Sequence, residues 1–376
     1  MRRAQSTRRA QSTRRAQSTR RAQRWGTKLL IPALVGSSFL VAAAGTAEAG
    51  AAENADIVVG PGQSIQAALD AASPGDTVRV LAGTYHEQLQ MSTDRVTLEG
   101  SGAVLEPPTG SGAPGNQCSS PGSDTGICVL GDVTLPTGDS NEPPVINRRA
   151  HDIVVRGFTV RGFSGEGVFA FGVDGFTAEH NVFAHNGGYG VFANTSSKVT
   201  YRYNTAFEND EAGLYIGDSP NADATVQWNA SYDNGMGLLF RDSLGGTVDH
   251  NAFYWNCAGA LVLNTGAPGD AGKVTVHDNA LVANNRACAG SPDGEEPPLS
   301  GIGIGLIGSR DTVVTGNRIT WNAPSGTTAF SGGVALVTSS DFGGSDPTNN
   351  KVTGNEVADN ETDVLWDHTG SGNVIS

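Results

Sequence analysis

Short runs of alternating apolar and polar residues recur along most of the chain. They read GVFAFG (167–172), GVFANT (190–195), GLYIGD (213–218), GLLFRD (237–242), ALVLNT (260–265), GIGLIG (303–308), GVALVT (333–338) and DVLWDH (363–368). Each is long enough for one strand with side chains on alternate faces. A second, shorter run (FTAEH, VTYRY, ATVQW, VTVHD) comes between them, followed by two asparagines five residues apart. These pairs are Asn181/Asn186, Asn204/Asn209, Asn229/Asn234, Asn251/Asn256, Asn279/Asn284, Asn317/Asn322 and Asn355/Asn360, and Gly157/Gly162 are read into the same slot one turn earlier. A unit of about 22–25 residues made of short strands and turns cannot bury its own apolar face and must stack on its neighbours. The Leu-x-x-Leu-x-Leu framework of leucine-rich repeats is missing, and a propeller blade needs about 40 residues. The pattern therefore predicts an all-β coil of parallel strands, with asparagines at one turn corner passing amide hydrogen bonds from coil to coil.

Two segments precede the repeats. Residues 64–72, SIQAALDAA, predict a short helix with Ser64 as N-cap and Ile65, Ala68 and Leu69 on one face, placed to cover the open end of the stack. The coil is expected over 75–376, with 50–74 as the N-terminal segment and capping helix. Residues 1–49 hold RRAQST repeats, an apolar stretch broken by Pro32 and Gly36, and an Ala47-Glu48-Ala49 cleavage pattern, which together predict a signal peptide and a secreted, extracellular protein. Ten of the 24 Lys and Arg lie in that segment against one of the 38 Asp and Glu, so the remainder carries 14 bases against 37 acids, net −23. Such a charge excludes nucleic acid and anionic membrane as partners. Export also makes the four cysteines structural, and Cys118–Cys128 with Cys257–Cys288 is the economical pairing of the three available.

SIQAALDAASPGDTVRVLAGTYHE together with the N-x4-N…GVFA repeats resembles secreted bacterial right-handed parallel β-helix proteins, the pectate-lyase-like superfamily. The resemblance covers about residues 55–376. It implies a single-stranded right-handed parallel β-helix and a polysaccharide partner. The NTD, GHG and RIK motifs of polygalacturonases and the DPHE of alginate epimerases are absent, so no catalytic residue is carried over.

Candidate chemistry comes instead from indexing the repeated run. Positions one and three (Val168/Ala170, Val191/Ala193, Leu214/Ile216, Leu238/Phe240, Leu261/Leu263) should point inward, leaving positions two and four to solvent. The outward columns then read Phe169, Phe192, Tyr215, Leu239, Val262 and Phe171, Asn194, Gly217, Arg241, Asn264. Exposed aromatics would form a sugar-stacking surface, unless the loop at 106–147 folds over them. Arg241 is the only basic residue in these columns. It is the candidate to pair with a uronate carboxylate or stabilise an enolate, with Tyr215 or the carboxylates Asp218 and Asp242 moving protons, or as a surface ion-pair partner of those acids. Asp218 and Asp242, one coil apart, could hold Ca²⁺ or serve as an acid/base pair, or simply cap turns. Phe169, Phe192, Asn194, Glu211 and Asn264 complete the candidate substrate-binding set, while His180 and His250 share a varied column that reads as packing. The expectation is a monomeric extracellular polysaccharide lyase or glycoside hydrolase that requires no cofactor, with Ca²⁺ as an optional ligand, and a non-catalytic glycan-binding or surface protein is the alternative.

Overall fold

The computed structural model describes residues 54–110, 115–134, 145–267, 270–291 and 296–376. The predicted signal peptide lies outside them. Each coil contributes three strands, and the stack forms a right-handed parallel β-helix with three faces. Face A is a ten-stranded parallel sheet running from Leu89–Met91 through Val168–Phe171, Val191–Asn194, Ala212–Gly217, Met236–Arg241, Ala258–Leu263, Ile302–Ile307 and Gly332–Val337 to Val364–Trp366. Face B holds strands such as Val173–Glu179, Thr200–Arg202, Ala224–Gln227 and Leu244–Asp249, and face C the three-residue strands Val182–Ala184, Thr205–Phe207, Ala230–Tyr232, Ala252–Tyr254 and Ala280–Val282. The long strand Ala150–Arg161 pairs with both B and C strands of the next coil and bends around the corner between them.

Helix α1 (Ile65–Ala71) lies where the sequence puts it. Ser64 caps it by accepting from the Ala67 amide, and the Glu87 carboxylate accepts from the Ile65 and Gln66 amides. That negative charge complements the helix N-terminus. The stack begins earlier than residue 75, because Asp56–Val59 pairs in parallel with Thr77–Val80.

The asparagines form two files rather than one. The first members of the pairs stack at the B–C corner and the second members at the C–A corner, so the spacing of five encloses one C strand. Within each pair of coils the Nδ2 of one Asn donates to the Oδ1 of the next, at 2.9–3.1 Å in the first file and 2.9–3.3 Å in the second. The same amide also donates to a backbone carbonyl of the preceding coil, as Asn229 does to Tyr201. These buried amides are thus saturated, which removes the penalty of burying them.

Gly157 and Gly162 align with the residues before the asparagines, and Phe158 and Phe163 fill the Asn slots. The glycines mark a second constraint. The residue before each Asn has a left-handed backbone: φ is 56° at His180 and Tyr203, 57° at Trp228, 55° at His250, 59° at Trp255 and 61° at Trp321. For a non-glycine this costs about 1–2 kcal/mol per residue. Gly316 and Gly354 occupy the same corner without that cost. His180 and His250 are consequently on the outside of a corner, each stacked on a neighbouring ring, and not packed in the core.

Face B carries an element the sequence pattern did not reveal, a file of alternating charge. Arg79, Glu99, Arg156, Glu179 and Arg202 lie on successive coils and pair in series. Both expected disulfides are present, with Cα–Cα distances of 5.6 Å for Cys118–Cys128 and 5.9 Å for Cys257–Cys288. No helix among the described residues is long and apolar enough to cross a membrane.

Replacing an interior rung should be costly. Asn229→Ala removes the acceptor of the Asn204 amides and the donor to Tyr201 and Asn251. A loss of about 2–3 kcal/mol in urea unfolding is expected, larger than for Asn360→Ala at the end of its file.

Candidate active site

The register of face A fixes which side chains share a column. Phe169, Phe192, Tyr215, Leu239 and Leu261 form one outward column, and Phe171, Asn194, Gly217, Arg241 and Leu263 the other. The inward pairs from Val168/Ala170 to Leu238/Phe240 are buried as expected. The coil at 260–265 departs from the expectation. Leu238 pairs with Ala260, so Ala260 and Val262 point inward and Leu261 and Leu263 outward. A shift of one residue exchanges the two faces of a strand. Asn264 therefore leaves the Arg241 column and belongs to the A–B corner, where its Nδ2 donates to Asp270 (2.8 Å) and to Ser345 Oγ (3.1 Å).

The outward aromatics are covered. Phe192 and Tyr215 stack with centroids 4.1 Å apart and planes 2° from parallel, and Phe169 lies 4.8 Å from Phe192. Tyr189, from the turn leading into Val191–Asn194, lies over both, 5.2 Å from Phe192 and 4.7 Å from Tyr215. Tyr215 is only 1% exposed. Two insertions close the ends of the face. The segment around Cys118, tied to Cys128, packs with Leu130 and Val133 on Phe169 and Phe171, while Leu299 and Phe330 pack on the later strands. Part of the 106–147 loop does fold over the face, then, and its residues 111–114 and 135–144 lie outside the described ones.

Between these covers sits Arg241, its side chain 35% exposed. Its Nη2 donates to Asp218 Oδ2 at 3.3 Å, its Nε lies 3.5 Å from Asp242 Oδ2, and its guanidinium carbon is 5.6 Å from the Tyr215 ring centre. Gly217 makes this possible, since a Cβ there would meet the Tyr215 hydroxyl at 2.8 Å. Asn194 donates to Asp218 at 2.7 Å, and Tyr189 and Glu211 are hydrogen-bonded through their side chains. The fold therefore brings together Phe169, Phe192, Asn194, Glu211, Tyr215, Asp218, Arg241 and Asp242, adds Tyr189, and leaves out Asn264. Tyr189 escaped sequence reasoning because it lies in a turn outside the alternating run.

Asp218 and Asp242 occupy equivalent left-handed corner positions on consecutive coils, with φ of 49° and 48°. Asp242 is fully buried and accepts from both the amide and the hydroxyl of Thr265, which is a capping role. The positive charge beside both carboxylates is the Arg241 guanidinium. Among the described residues no three His, Cys, Asp or Glu side chains gather in a way that could hold a metal ion.

Desolvation works against the Arg241 charge, yet Tyr215, Asp218, Tyr189 and Asp242 together hold its pKa above the ordinary value. Burial pushes the Tyr215 hydroxyl well up, outweighing the opposite effect of Arg241, so it keeps its proton at neutral pH. Tyr189 is also pushed up, by burial and then by Glu211. Four buried side-chain polar atoms among the described residues lack a hydrogen-bond partner, and two of them are here: Tyr215 Oη and Arg241 Nε. Two unsatisfied donors on touching side chains can be answered by an oxygen acceptor from a ligand. A depression of about 630 Å³ lined by His185, Glu208, Asp233 and Arg286 lies at the C–A corner and not over Arg241.

Comparison with known proteins bears on the scaffold. A family model described as right handed beta helix region matches residues 166–376, more than half the chain. No curated protein matches the sequence. Among solved structures, an alginate lyase from Paenibacillus sp. str. FPU-7 is similar with a TM-score of 0.50 and 14% identity, covering 84% of this chain and 99% of that one. A double mutant of the periplasmic alginate epimerase AlgG gives 0.52 and 14%, covering 85% and 82%. A DFA-IIIase from Arthrobacter chlorophenolicus A6 gives 0.50 and 12%, covering 83% and 87%. At these identities the likeness concerns the fold.

Burial holds the Asp242 pKa above its ordinary value, against the two Thr265 hydrogen bonds and Arg241. A carboxyl whose folded pKa is raised ionises first in the unfolded chain, so its contribution to stability is greatest below the unfolded pKa and falls as pH rises through the folded one. Asp242→Asn should accordingly gain stability relative to the parent as pH rises above the ordinary carboxylate range of about 4 in thermal melts. A carboxylate held down by its ion pair would give the opposite slope.

Proposed function

The chain belongs to the right-handed β-helix family, and on that scaffold we propose that it is an extracellular or periplasmic enzyme that cleaves a uronate-containing polysaccharide by β-elimination at Arg241. The observation that carries this reading is the pair of unsatisfied donors, Tyr215 Oη and Arg241 Nε, on a solenoid face whose outward columns are mostly apolar. Two of the structural relatives are an alginate lyase and an alginate epimerase, which supports the substrate class. The disulfides agree with an oxidising compartment.

In this mechanism Arg241 pairs with the uronate carboxylate and stabilises the enolate that develops when the adjacent C5–H bond breaks. Asp218, a third exposed, takes that proton. The electron pair forms the C4–C5 double bond as the C4–O bond to the leaving sugar breaks. Tyr215, which keeps its proton, donates it to the departing oxygen and is reprotonated from water. Tyr189 must swing off Tyr215 to admit the chain. A two-carboxylate hydrolase is less well supported, because both Asp242 oxygens accept hydrogen bonds from Thr265. The burial of Tyr215 under Tyr189 favours a second reading, in which the face binds a glycan without turnover.

Absorbance of the unsaturated uronate on a panel of polysaccharides, with a reducing-sugar assay beside it, tests the proposal. Silence on every substrate would favour the binding reading. Tyr215→Phe removes only an unpartnered hydroxyl, so its melting temperature should be unchanged or slightly raised, while turnover falls by ~10²–10⁴. Arg241→Lys keeps the charge beside buried Asp242 and should fold normally but lose at least ~100-fold in kcat/KM. Full activity in either variant would remove that residue from the mechanism.

A further inference from the structure

Face C carries a second feature, distinct from the Arg241 site. Its outward side is a trough along the helix axis. The floor is made of small side chains, one per coil: Thr205, Ala230, Ala252 and Ala280, in register and partly exposed. On one side stand Tyr203, Trp228 and His250 at the B–C corner. On the other stand Phe207, Tyr232 and Tyr254, two residues beyond the floor and stacked 5.3 Å and 4.8 Å apart. Trp255 and Trp321 continue the aromatic surface at the C–A corner, 55% and 50% exposed.

Three of these residues sit where the backbone disfavours them. Trp228, Trp255 and Trp321 have left-handed φ in corners where glycine would be unstrained, and about half of each side chain remains in water. Neither core burial nor backbone preference accounts for tryptophan there, whereas a binding surface does. The trough also has a definite electrostatic character. From Val182 to Val282 the outward positions of face C carry no charge. Arg318 takes the next floor position beside Trp321. Glu208, Asp233 (with Arg286 against it) and Asp278 flank the trough on a chain that is strongly acidic beyond residue 49. A polyanion is repelled from such a surface. A neutral chain finds apolar floor for its C–H faces and hydroxyl, indole and imidazole tips at the walls. The coil rise of about 4.8 Å repeats the floor at close to the length of one pyranose residue.

We infer that the trough on face C is a second, non-catalytic site that binds one chain of an uncharged polysaccharide along the helix axis, separate from the uronate site on face A. The test is depletion of the full-length secreted protein by microcrystalline cellulose and by an insoluble β-1,3-glucan, with soluble polyuronate as competitor. The parent should bind at least one of the neutral polymers, and polyuronate should not displace it. Trp228→Ala with Tyr254→Ala should weaken binding tenfold or more. Ala252→Arg, which blocks the floor and leaves the ring stacks in place, should abolish it. Arg241→Lys should bind like the parent whether or not it has any turnover, so that failure on face A and failure on face C are read separately. The inference is overturned if neither neutral polymer retains the parent, if Ala252→Arg binds undiminished, or if polyuronate competes. It is equally overturned if the parent is a dimer in solution that Ala252→Arg dissociates, which would make this face an interface between copies.

Discussion

The hydrogen bonding of side-chain amides from coil to coil is the constraint on which the rest of the molecule depends. A parallel solenoid has no compact centre, so its register must be fixed locally at each turn. Each buried asparagine does this by accepting from the backbone and side-chain donors of the preceding coil and donating its own N–H groups to the preceding and the following coil. Any slip by one residue would leave several buried polar groups unsatisfied at once, a larger penalty than the loss of one apolar contact. The two files also fix the C strand at three residues and force a left-handed residue ahead of each Asn. From that follows the outward projection of Tyr203, Trp228 and Trp255.

The covers over face A follow a related logic. An outward sheet face bearing Phe169, Phe192, Tyr215, Leu239 and Leu261 cannot remain in water. The chain supplies roofs from its insertions, and each disulfide anchors one of them: Cys128 lies in the A strand Ile127–Leu130, and Cys257 immediately precedes Ala258–Leu263. What stays accessible is the strip between the roofs, where Asn194, Asp218 and Arg241 meet. The site thus owes its position to the limits of its covers as much as to its own residues.

The periodicity of the asparagines and the alternation of the runs made the fold legible, because both are repeated many times and tolerate local error. Ser64 and the helix it caps were legible from local chemistry alone. The single slipped register at 260–265 was not, since Ala260 begins that run where Gly213 and Gly237 begin theirs, yet it pairs with Leu238 and not with Gly237. That misplaced Asn264. The burial of Phe192 and Tyr215 was also out of reach, because it depends on Tyr189 and on insertions without periodicity. The Arg79–Glu99–Arg156–Glu179–Arg202 file escaped notice because its first members fall before the asparagine repeat begins. The place of Arg241 in its outward column was legible, because an isolated cation in a column is visible from sequence even when its surroundings are not.

Its surroundings are what the proposal of a working site rests on. In the same column Leu263 and Ile307 fill the equivalent positions and pack against the apolar cluster. An apolar side chain at 241 would join them without desolvating any charge, and partly buried ion pairs seldom stabilise more than a well-packed hydrophobe. The fold nevertheless places a guanidinium there, flanks it with Asp218 and a buried Asp242, and leaves the adjacent tyrosine hydroxyl without a partner. Each of these departs from what stability alone would select, and they coincide at one point on the face. Local departures that reinforce one another in this way are the physical ground on which a functional site is proposed at Arg241. The tryptophans in the left-handed corners of face C are a second such departure, on the opposite side of the same asparagine files.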